Sequence, residues 1–379
     1  MSVHRSRTAA SRTRRGRPGL HAGILVLGLV AGTALVAGCE ANARATPIAP
    51  MEGDWIQPLG MNSHGLVAAV ASSPTSNGIG HAALYDTATG RTTRLPDPPQ
   101  SADLPDGGTF ERAVDVNDSG VVVGAVTTTS GGLGRTAVYD TVSGAWAFPD
   151  CGASQGALRG RIDDAGRVVC GSDVFETATE TYVPVPMPDD CDGQAMKIND
   201  SGSVVGYCES GHEPLFVADL ASGTSIGFGS DLGIVAGDLP QSYWENSFGV
   251  LTDSGYLVID TYPPDGSSRV HVYQVPQNPA SYPPTSVDLG ILSGLPTIGY
   301  AISENGILAV NVAVGDTWGL VSYDVVTGRL RAYDTTALGS RAHQSATFTT
   351  GVDDMGHLVG FQVDPTSDMA YNSFAVSPT

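Results

Sequence analysis

Short apolar runs alternate with polar, glycine-containing turns along most of the chain. One such unit begins at Val114 and reads VDVNDSGVVVGA. Its turn residues Asn, Asp and Ser bond to nearby backbone, and its glycine supplies the positive φ of a tight hairpin. The β-branched run that follows favours a strand. The unit therefore predicts a β-hairpin.

This hairpin recurs along the chain. Copies begin at Gly60, Val114, Arg161, Lys197, Gly249, Tyr300 and Thr350, and their shared glycines are Gly65, Gly120, Gly166, Gly202, Gly255, Gly306 and Gly356. Successive shared glycines lie 36 to 55 residues apart. Such a period is typical of blade-type repeats.

A second hairpin follows most copies, as in AALYDTATGRTTRL from Ala82, with turn glycines Gly90, Gly144, Gly223 and Gly328. Each repeat thus predicts four short antiparallel strands. Seven repeats predict an all-β, seven-bladed β-propeller over residues 53–379. The last copy ends after its third strand, so we expect an N-terminal strand around Trp55 to Pro58 to close the last blade. An open solenoid is the alternative, but it usually needs polar capping repeats, which the sequence does not show.

The pattern IND-SG-VVG followed by A-x-Y-D resembles the HAF-type extracellular repeats of bacterial secreted proteins. The resemblance spans nearly all of residues 53–379, although the His-Ala-Phe signature is absent and its nearest equivalent is HAAL at His81–Leu84. It implies a β-propeller and an extracytoplasmic location, and it implies no reaction.

The first 38 residues have the order of an export signal. Six arginines precede an apolar run from Ile24 to Ala37, which is too short for a comfortable membrane span. The run ends in Val36-Ala37-Gly38-Cys39, which resembles the lipobox of bacterial lipoproteins. The resemblance implies a signal peptide over 1–38, lipid attachment at Cys39 and a membrane-anchored chain on the extracytoplasmic face. The alternative is an ordinary signal peptide with a chance cysteine. Residues 39–52 predict a flexible tether.

The chain is strongly acidic. It carries 19 basic and 39 acidic residues, and without the six arginines of the signal 13 basic residues remain against 39 acidic ones, a net charge of −26. Phosphate contacts need Lys and Arg, so this balance argues against nucleic acid as a partner. It also argues against a surface that lies flat on anionic lipid. We expect a monomer.

Four cysteines remain after Cys39, at Cys151, Cys170, Cys191 and Cys208. An even number in an exported chain suggests two disulfides, with three possible pairings. Counting back from a turn in which Ile198 faces Ser203 puts Gly193 near Cys208. This register favours Cys191–Cys208, which leaves Cys151–Cys170. A metal site is the rival interpretation, but no two cysteines have zinc-finger spacing.

No catalytic motif is present in the sequence, and we expect no cofactor and no metal. The turn residues Asp115, Asn117 and Asp118 resemble a calcium loop superficially, but the distant Glu is missing, so turn chemistry is favoured. His64 and His357 fall in the first and last hairpins and are interpreted as exposed turn residues.

Aromatic residues are the better indication of a ligand. Tyr243, Trp244 and Tyr262 lie in connections that share the cysteine-bearing rim, where they could stack on sugar rings or protein side chains. The competing interpretation is that Trp244 packs between blades.

Two functions therefore stay open. The first is a lipid-anchored binding module for an extracellular glycan or protein. The second is a hydrolase or lyase that acts on extracellular polysaccharide, since paired carboxylates suit glycoside hydrolysis. Carboxylates or histidines that converge at the channel mouth would favour the enzyme. An apolar or aromatic rim would favour the binding module.

Overall fold

The computed structural model describes residues 44–49, 51, 55–72, 80–101, 104, 107–128, 134–151, 161–210, 212–230, 250–261, 269–276, 284–290, 292, 297–314, 317–335, 347–363 and 371–377. In this part of the chain all elements are β-strands, arranged in seven antiparallel sheets. Residues Glu40–Thr379 form one compact unit. The predicted all-β, seven-bladed propeller is confirmed.

The first three blades follow the predicted order. Blade one contains β2 (Trp55–Met61), β3 (Leu66–Ser72), β4 (Gly80–Asp86) and β5 (Arg91–Arg94). Blade two contains β6 (Gly108–Val116), β7 (Val121–Thr128), β8 (Arg135–Asp140) and β9 (Trp146–Ala147). Blade three contains β10 (Arg167–Cys170), β11 (Asp173–Glu176) and β12 (Thr181–Pro184). In blade three an isolated bridge between Ile162 and Val168 stands in the place of the first strand.

The other four blades have four strands each. Blade four contains β13 (Asp192–Ile198), β14 (Ser203–Ser210), β15 (Leu215–Asp219) and β16 (Thr224–Phe228). Blade five contains β17 (Val250–Leu251), β18 (Tyr256–Thr261), β19 (Arg269–Gln274) and β20 (Thr285–Val287). Blade six contains β21 (Thr297–Ile302), β22 (Ile307–Val314), β23 (Thr317–Asp324) and β24 (Leu330–Ala332). Blade seven contains β25 (Thr347–Val352), β26 (Leu358–Val363), β27 (Tyr371–Val376) and, from the N-terminal side, β1 (Ala45–Pro47).

Closure of blade seven by an N-terminal strand is therefore confirmed, but the predicted location of that strand was wrong. The segment around Trp55 to Pro58 pairs with β3 and is the first strand of blade one, because it continues directly into the first hairpin. The closing strand is β1, in which Thr46 faces Ala375 of β27. Residues 45–47 thus belong to the sheet, although they lie inside the segment predicted as a tether.

The repeated turns have the predicted geometry. All seven shared glycines of the first hairpins have positive φ, between 76° and 88°. The glycines of the second hairpins do so as well, and in blade three Glu180 adopts φ 54° at the equivalent position. Non-glycine residues seldom adopt this conformation. The repeat glycine therefore marks a backbone requirement of each hairpin.

Most of the first strands contain a β-bulge shortly before the turn. Register shifts occur between Pro58 and Gly60 in β2, and between Ala195 and Lys197 in β13. Shifts at nearby positions occur in β6, β21 and β25. A bulge bends a strand and re-aims its side chains. In this fold the bulges precede the residues that line the central channel.

Both predicted disulfides are confirmed. Cys151 bonds to Cys170, and Cys191 bonds to Cys208, with Cα atoms 4.5 and 5.0 Å apart. Gly193 faces Cys208 as expected, but Ile198 faces Val204 rather than Ser203. The bulge around Met196 absorbs the one-residue difference. The first disulfide joins the end of blade two to blade three, and the second lies within blade four.

Candidate functional site at the turn-side mouth of the channel

A cavity of about 160 Å³ lies on the central axis and is lined by first-hairpin residues of all seven blades. Two layers define it. The mouth ring lies two residues before each turn glycine and comprises Ser63, Asp118, Asp164, Asp200, Asp253, Glu304 and Asp354. The wall layer lies five residues before each glycine and comprises Gly60, Asp115, Arg161, Lys197, Val250, Ala301 and Gly351.

The acids of the mouth ring join neighbouring blades. Each carboxylate accepts a backbone N–H bond from the turn of the preceding blade. These bonds run from Ser63 to Asp118 (3.0 Å), from Asp118 to Asp164 (2.7 Å), from Asp164 to Asp200 (2.5 Å), from Asp200 to Asp253 (2.5 Å), from Asp253 to Glu304 (2.8 Å) and from Asn305 to Asp354 (3.1 Å). We call each such bond a turn latch. The acid that the sequence analysis assigned to turn chemistry thus also links one blade to the next.

The residue just before each mouth-ring position stabilises its own turn. In blades one, two and four this residue is Asn, and its Oδ1 accepts the N–H of the residue four positions later, at 2.8 to 2.9 Å. The Nδ2 groups of Asn62, Asn117 and Asn199 donate to backbone carbonyls of the next blade. The Asn side chain therefore closes the turn and joins two blades.

Blades three and seven have Asp instead of Asn at this position, and each supplies a basic partner four residues later. Arg167 Nε lies 2.5 Å from Asp163 Oδ2, and His357 Nδ1 lies 2.6 Å from Asp353 Oδ2. Burial raises the pKa of Asp163, while Arg167 opposes that shift. A buried carboxylate is expensive without a hydrogen-bonding or charged partner. The side chain of His357 is 19% exposed, so its interpretation as an exposed turn residue was wrong. The side chain of His64 is 71% exposed, as expected, and lies 3.5 Å from Asp118.

Four of the six mouth-ring acids have a raised pKa. Burial, with Asp200 and Asp118 nearby, raises the pKa of Asp164 to about 6. Burial also raises the pKa values of Asp200, Asp253 and Glu304, each with the next acid of the ring as a further cause. The backbone N–H bonds oppose these shifts because they favour the ionised form. Partial desolvation and the neighbouring carboxylates favour the protonated form more strongly than the N–H bonds favour the ionised form.

The wall layer has two different halves. Blades two to four contribute Asp115, Arg161 and Lys197, and Arg161 Nη1 lies 3.3 Å from Asp115 Oδ1. Gly60 leaves room for this pair, since a Cβ there would meet Asp115 Oδ1 at 2.6 Å and Arg161 Nη1 at 2.9 Å. The remaining positions are glycine or apolar. The cavity therefore has a charged half and a half of small or apolar residues.

The remaining predicted site residues lie outside the described residues, and these are Cys39, Tyr243, Trp244 and Tyr262. The mouth ring as a unit was not predicted from the sequence. The available signal was the acid that recurs two residues before the glycine in six of the seven copies.

The described residues contain no group of three or more His, Cys, Asp or Glu side chains placed to hold a metal ion. No helix among them has the length and apolarity needed to cross a bilayer.

No protein-family model and no curated protein matches the sequence. The structure is similar to the β-propeller domain of the Trilobed protease from Pyrococcus furiosus, described as having an open velcro topology. That match has a TM-score of 0.50 and 9% identity, and it covers 86% of this chain and 94% of that one. An oligogalacturonate lyase in complex with manganese matches with a TM-score of 0.51 and 10% identity, over 90% of this chain and 94% of that one. These similarities show the propeller fold alone.

Proposed function

We propose that the chain is a lipid-anchored, extracytoplasmic binding module that holds an extracellular ligand, a glycan or a protein, at the turn-side cavity. The turn latches are the observation that carries this proposal. Six carboxylates converge at the mouth, but each already accepts a backbone N–H bond from the neighbouring blade. These carboxylates are held in place by the neighbouring blades and form the rim of the cavity opening. The rim with Tyr243, Trp244 and Tyr262 is proposed as a second contact surface.

A glycan and protein binding screen with the fragment 44–379 tests this function. The variant Ala301→Phe places a large side chain in the cavity wall, and we expect it to abolish binding of any ligand found. The control is Val142→Ala, because Val142 is 84% exposed and does not line the cavity. Melting curves check that Ala301→Phe still folds, since overpacking destabilises cores. Equal binding by the two variants would remove the cavity from the proposal.

The second candidate is a hydrolase or lyase that acts on extracellular polysaccharide. The convergence of carboxylates at the mouth favours it, and the raised pKa of Asp164, about 6, suits a general acid. One of the similar structures is an oligogalacturonate lyase. Incubation with acidic and neutral polysaccharides, followed by product analysis, distinguishes the candidates. Products that disappear with Asp164→Asn would establish the enzyme and refute a pure binding role.

The anchor is a separate part of the proposal. The lipobox-like sequence at Val36–Cys39 and the HAF-type repeat pattern support export and lipid attachment at Cys39. Growth with a labelled palmitate analogue should tag the full chain. Equal labelling of Cys39→Ser would refute lipidation at this residue while leaving the binding proposal intact.

A further inference from the structure

The wall layer behind the mouth ring contains an excess of positive charge. Arg161 is paired with Asp115, and Lys197 adds a second cation. Lys197 is the only lysine of the whole chain and is 4% exposed. Burying an ammonium group is unfavourable unless anionic or polar groups surround it. Lys197 therefore places an ammonium group on the cavity wall, in the blade next to that of Arg161.

Blade seven contributes a buried polar group to the same cavity. Thr350 lines the cavity and is 9% exposed. Within the described residues, its Oγ1 has no hydrogen-bond partner. A buried hydroxyl without a partner is destabilising, and a ligand atom would relieve that cost. The bulge between Thr349 and Gly351 in β25 is located at this residue.

The mouth ring restricts what can reach these groups. A ring of carboxylates raises the local concentration of cations and repels simple anions. A positive charge on the ligand therefore favours its entry when it also carries a carboxylate for Lys197. The wall layer lies three residues before the mouth ring in each repeat, which corresponds to a separation of up to ~10 Å.

We propose that the cavity binds a small zwitterion with separated charges. Its carboxylate accepts hydrogen bonds from Lys197, Arg161 and Thr350, its ammonium group lies among the mouth-ring acids, and its aliphatic chain packs on Val250 and Ala301. The ligand class is therefore an ω-amino carboxylic acid, either free or as the end of a larger molecule. This inference rests on the proposed binding function and specifies which chemical group enters the cavity.

Calorimetric titration of the fragment 44–379 tests the inference. The probes are unbranched ω-amino acids from glycine to 6-aminohexanoate, with hexanoate as the anion-only probe and hexylamine as the cation-only probe. We expect one of the longer ω-amino acids to bind at least ~10-fold more tightly than either half-probe, because the two charged ends contribute together. Affinity that is no better than that of hexylamine would overturn the inference.

Two variants test where the carboxylate of the ω-amino acid binds. Lys197→Met should weaken the ω-amino acid by at least ~10-fold and leave hexylamine within about twofold. Thr350→Val, which is close in volume, should weaken the ω-amino acid ~3- to 10-fold, as expected for one neutral hydrogen bond. Thr350→Val decides the matter if Lys197→Met fails to fold. An unchanged affinity in the folded variants would contradict the assignment.

The outcomes separate this inference from the proposed function. One outcome is that no ω-amino acid binds, while a glycan or protein binds the parent fragment and does not bind Ala301→Phe. The zwitterionic ligand class would then be wrong, and the proposed binding function would stand. If the fragment binds neither the probes nor any glycan or protein, both are wrong.

Discussion

Six of the seven junctions between neighbouring blades are joined by turn latches, whereas the junction between blades seven and one is joined by a strand. At that junction the mouth-ring residue is Ser63, which has no carboxylate to offer the turn of blade seven. The chain instead adds β1 to β27, and Ile48 N donates to the carbonyl of Ser373. Ile48 then packs in a core cluster with Ile56 and Val67 of blade one and Val359 and Ala375 of blade seven.

This difference shows how a ring made of repeats can be closed. The latches depend on one residue per repeat and can be copied with the repeat. The closing junction has no latch, because the first repeat has Ser63 instead of an acid at the mouth-ring position. It depends on backbone pairing and on the burial of Ala45 and Ile48, which are 0% and 7% exposed. We therefore expect the closing junction to be more sensitive to a short deletion than any single latch is to a substitution.

The largest effect should follow deletion of residues 44–48. The fragment 49–379 loses the edge strand of blade seven and the buried side chains of Ala45 and Ile48. We expect the free energy of unfolding to fall by roughly 3 kcal/mol or more, on the scale of a large-to-small core substitution. Urea unfolding of fragments 44–379 and 49–379 measures it. The control fragment 40–379 should match 44–379, and equal midpoints for all three would contradict closure by β1.

The next effect concerns the disulfide that joins two blades. Replacing Cys151 and Cys170 by Ser opens a loop with a sequence separation of 19, and replacing Cys191 and Cys208 opens one of 17. Loops of this size correspond to about 3 kcal/mol each in the chain-entropy description. We expect the Cys151/Cys170 pair to lose more, because it also anchors blade three, whose first strand is reduced to a bridge. Denaturant unfolding of both double variants checks this. A smaller loss for the pair between blades would argue against that supporting role.

A single latch should contribute less. Glu304 accepts the N–H groups of Asp253 and Ser254 at 2.8 and 2.7 Å. Glu304→Ala leaves both donors without this acceptor, and we expect a loss of about 2 kcal/mol, since hydrogen bonds to charged groups contribute more than neutral ones. Glu304→Gln keeps one acceptor oxygen and removes the repulsion from Asp354, but its NH2 group faces the second N–H donor, so we expect an intermediate loss of about 1 kcal/mol. If the two variants were equally destabilised in thermal melting, the acceptor role would be wrong.

The fold of the hairpins could be predicted from sequence far better than their interactions. The glycine of each first hairpin has positive φ, which a local pattern reveals directly. The disulfide Cys191–Cys208 also followed from local register, since both residues belong to one hairpin. Asp118, by contrast, looks like an ordinary turn residue in its own repeat. Its latch to Ser63 joins residues 55 positions apart, and a local pattern contains no information about that distance.

The closing strand could not be located from its sequence. β1 has three residues, ends in Pro47 and has too few positions to display alternation. Proline is tolerated there because an edge strand needs no donor on its outer side. Trp55 and Ile56, which have the stronger strand pattern, start blade one. The cavity was missed for a related reason, since Lys197 and Thr350 come together only after seven blades form a ring.

The smallest expected effect is a pH dependence of the latched junctions. The raised pKa of Asp164 means that its carboxyl group binds a proton more tightly in the folded than in the unfolded chain. Its ionisation therefore opposes folding, and stability should fall as pH rises from the ordinary Asp value of 3.8 to about 6. The raised pKa values of Asp200, Asp253 and Glu304 act in the same direction. Melting temperatures across this range should therefore decrease with pH, and less steeply in Asp164→Asn. An identical slope in the variant would show that the ring is not the source.

Cross-linking of the closing strand tests the central claim most directly. In the closed ring Thr46 faces Ala375, and Trp55 faces Ser72 in blade one. The double variant Thr46→Cys/Ala375→Cys should therefore form a disulfide, seen as a mass loss of two hydrogens and a linked peptide after digestion. The double variant Trp55→Cys/Ala375→Cys, which represents closure by the other candidate segment, should keep free thiols. A linked peptide in the second variant and none in the first would contradict closure of the propeller by β1.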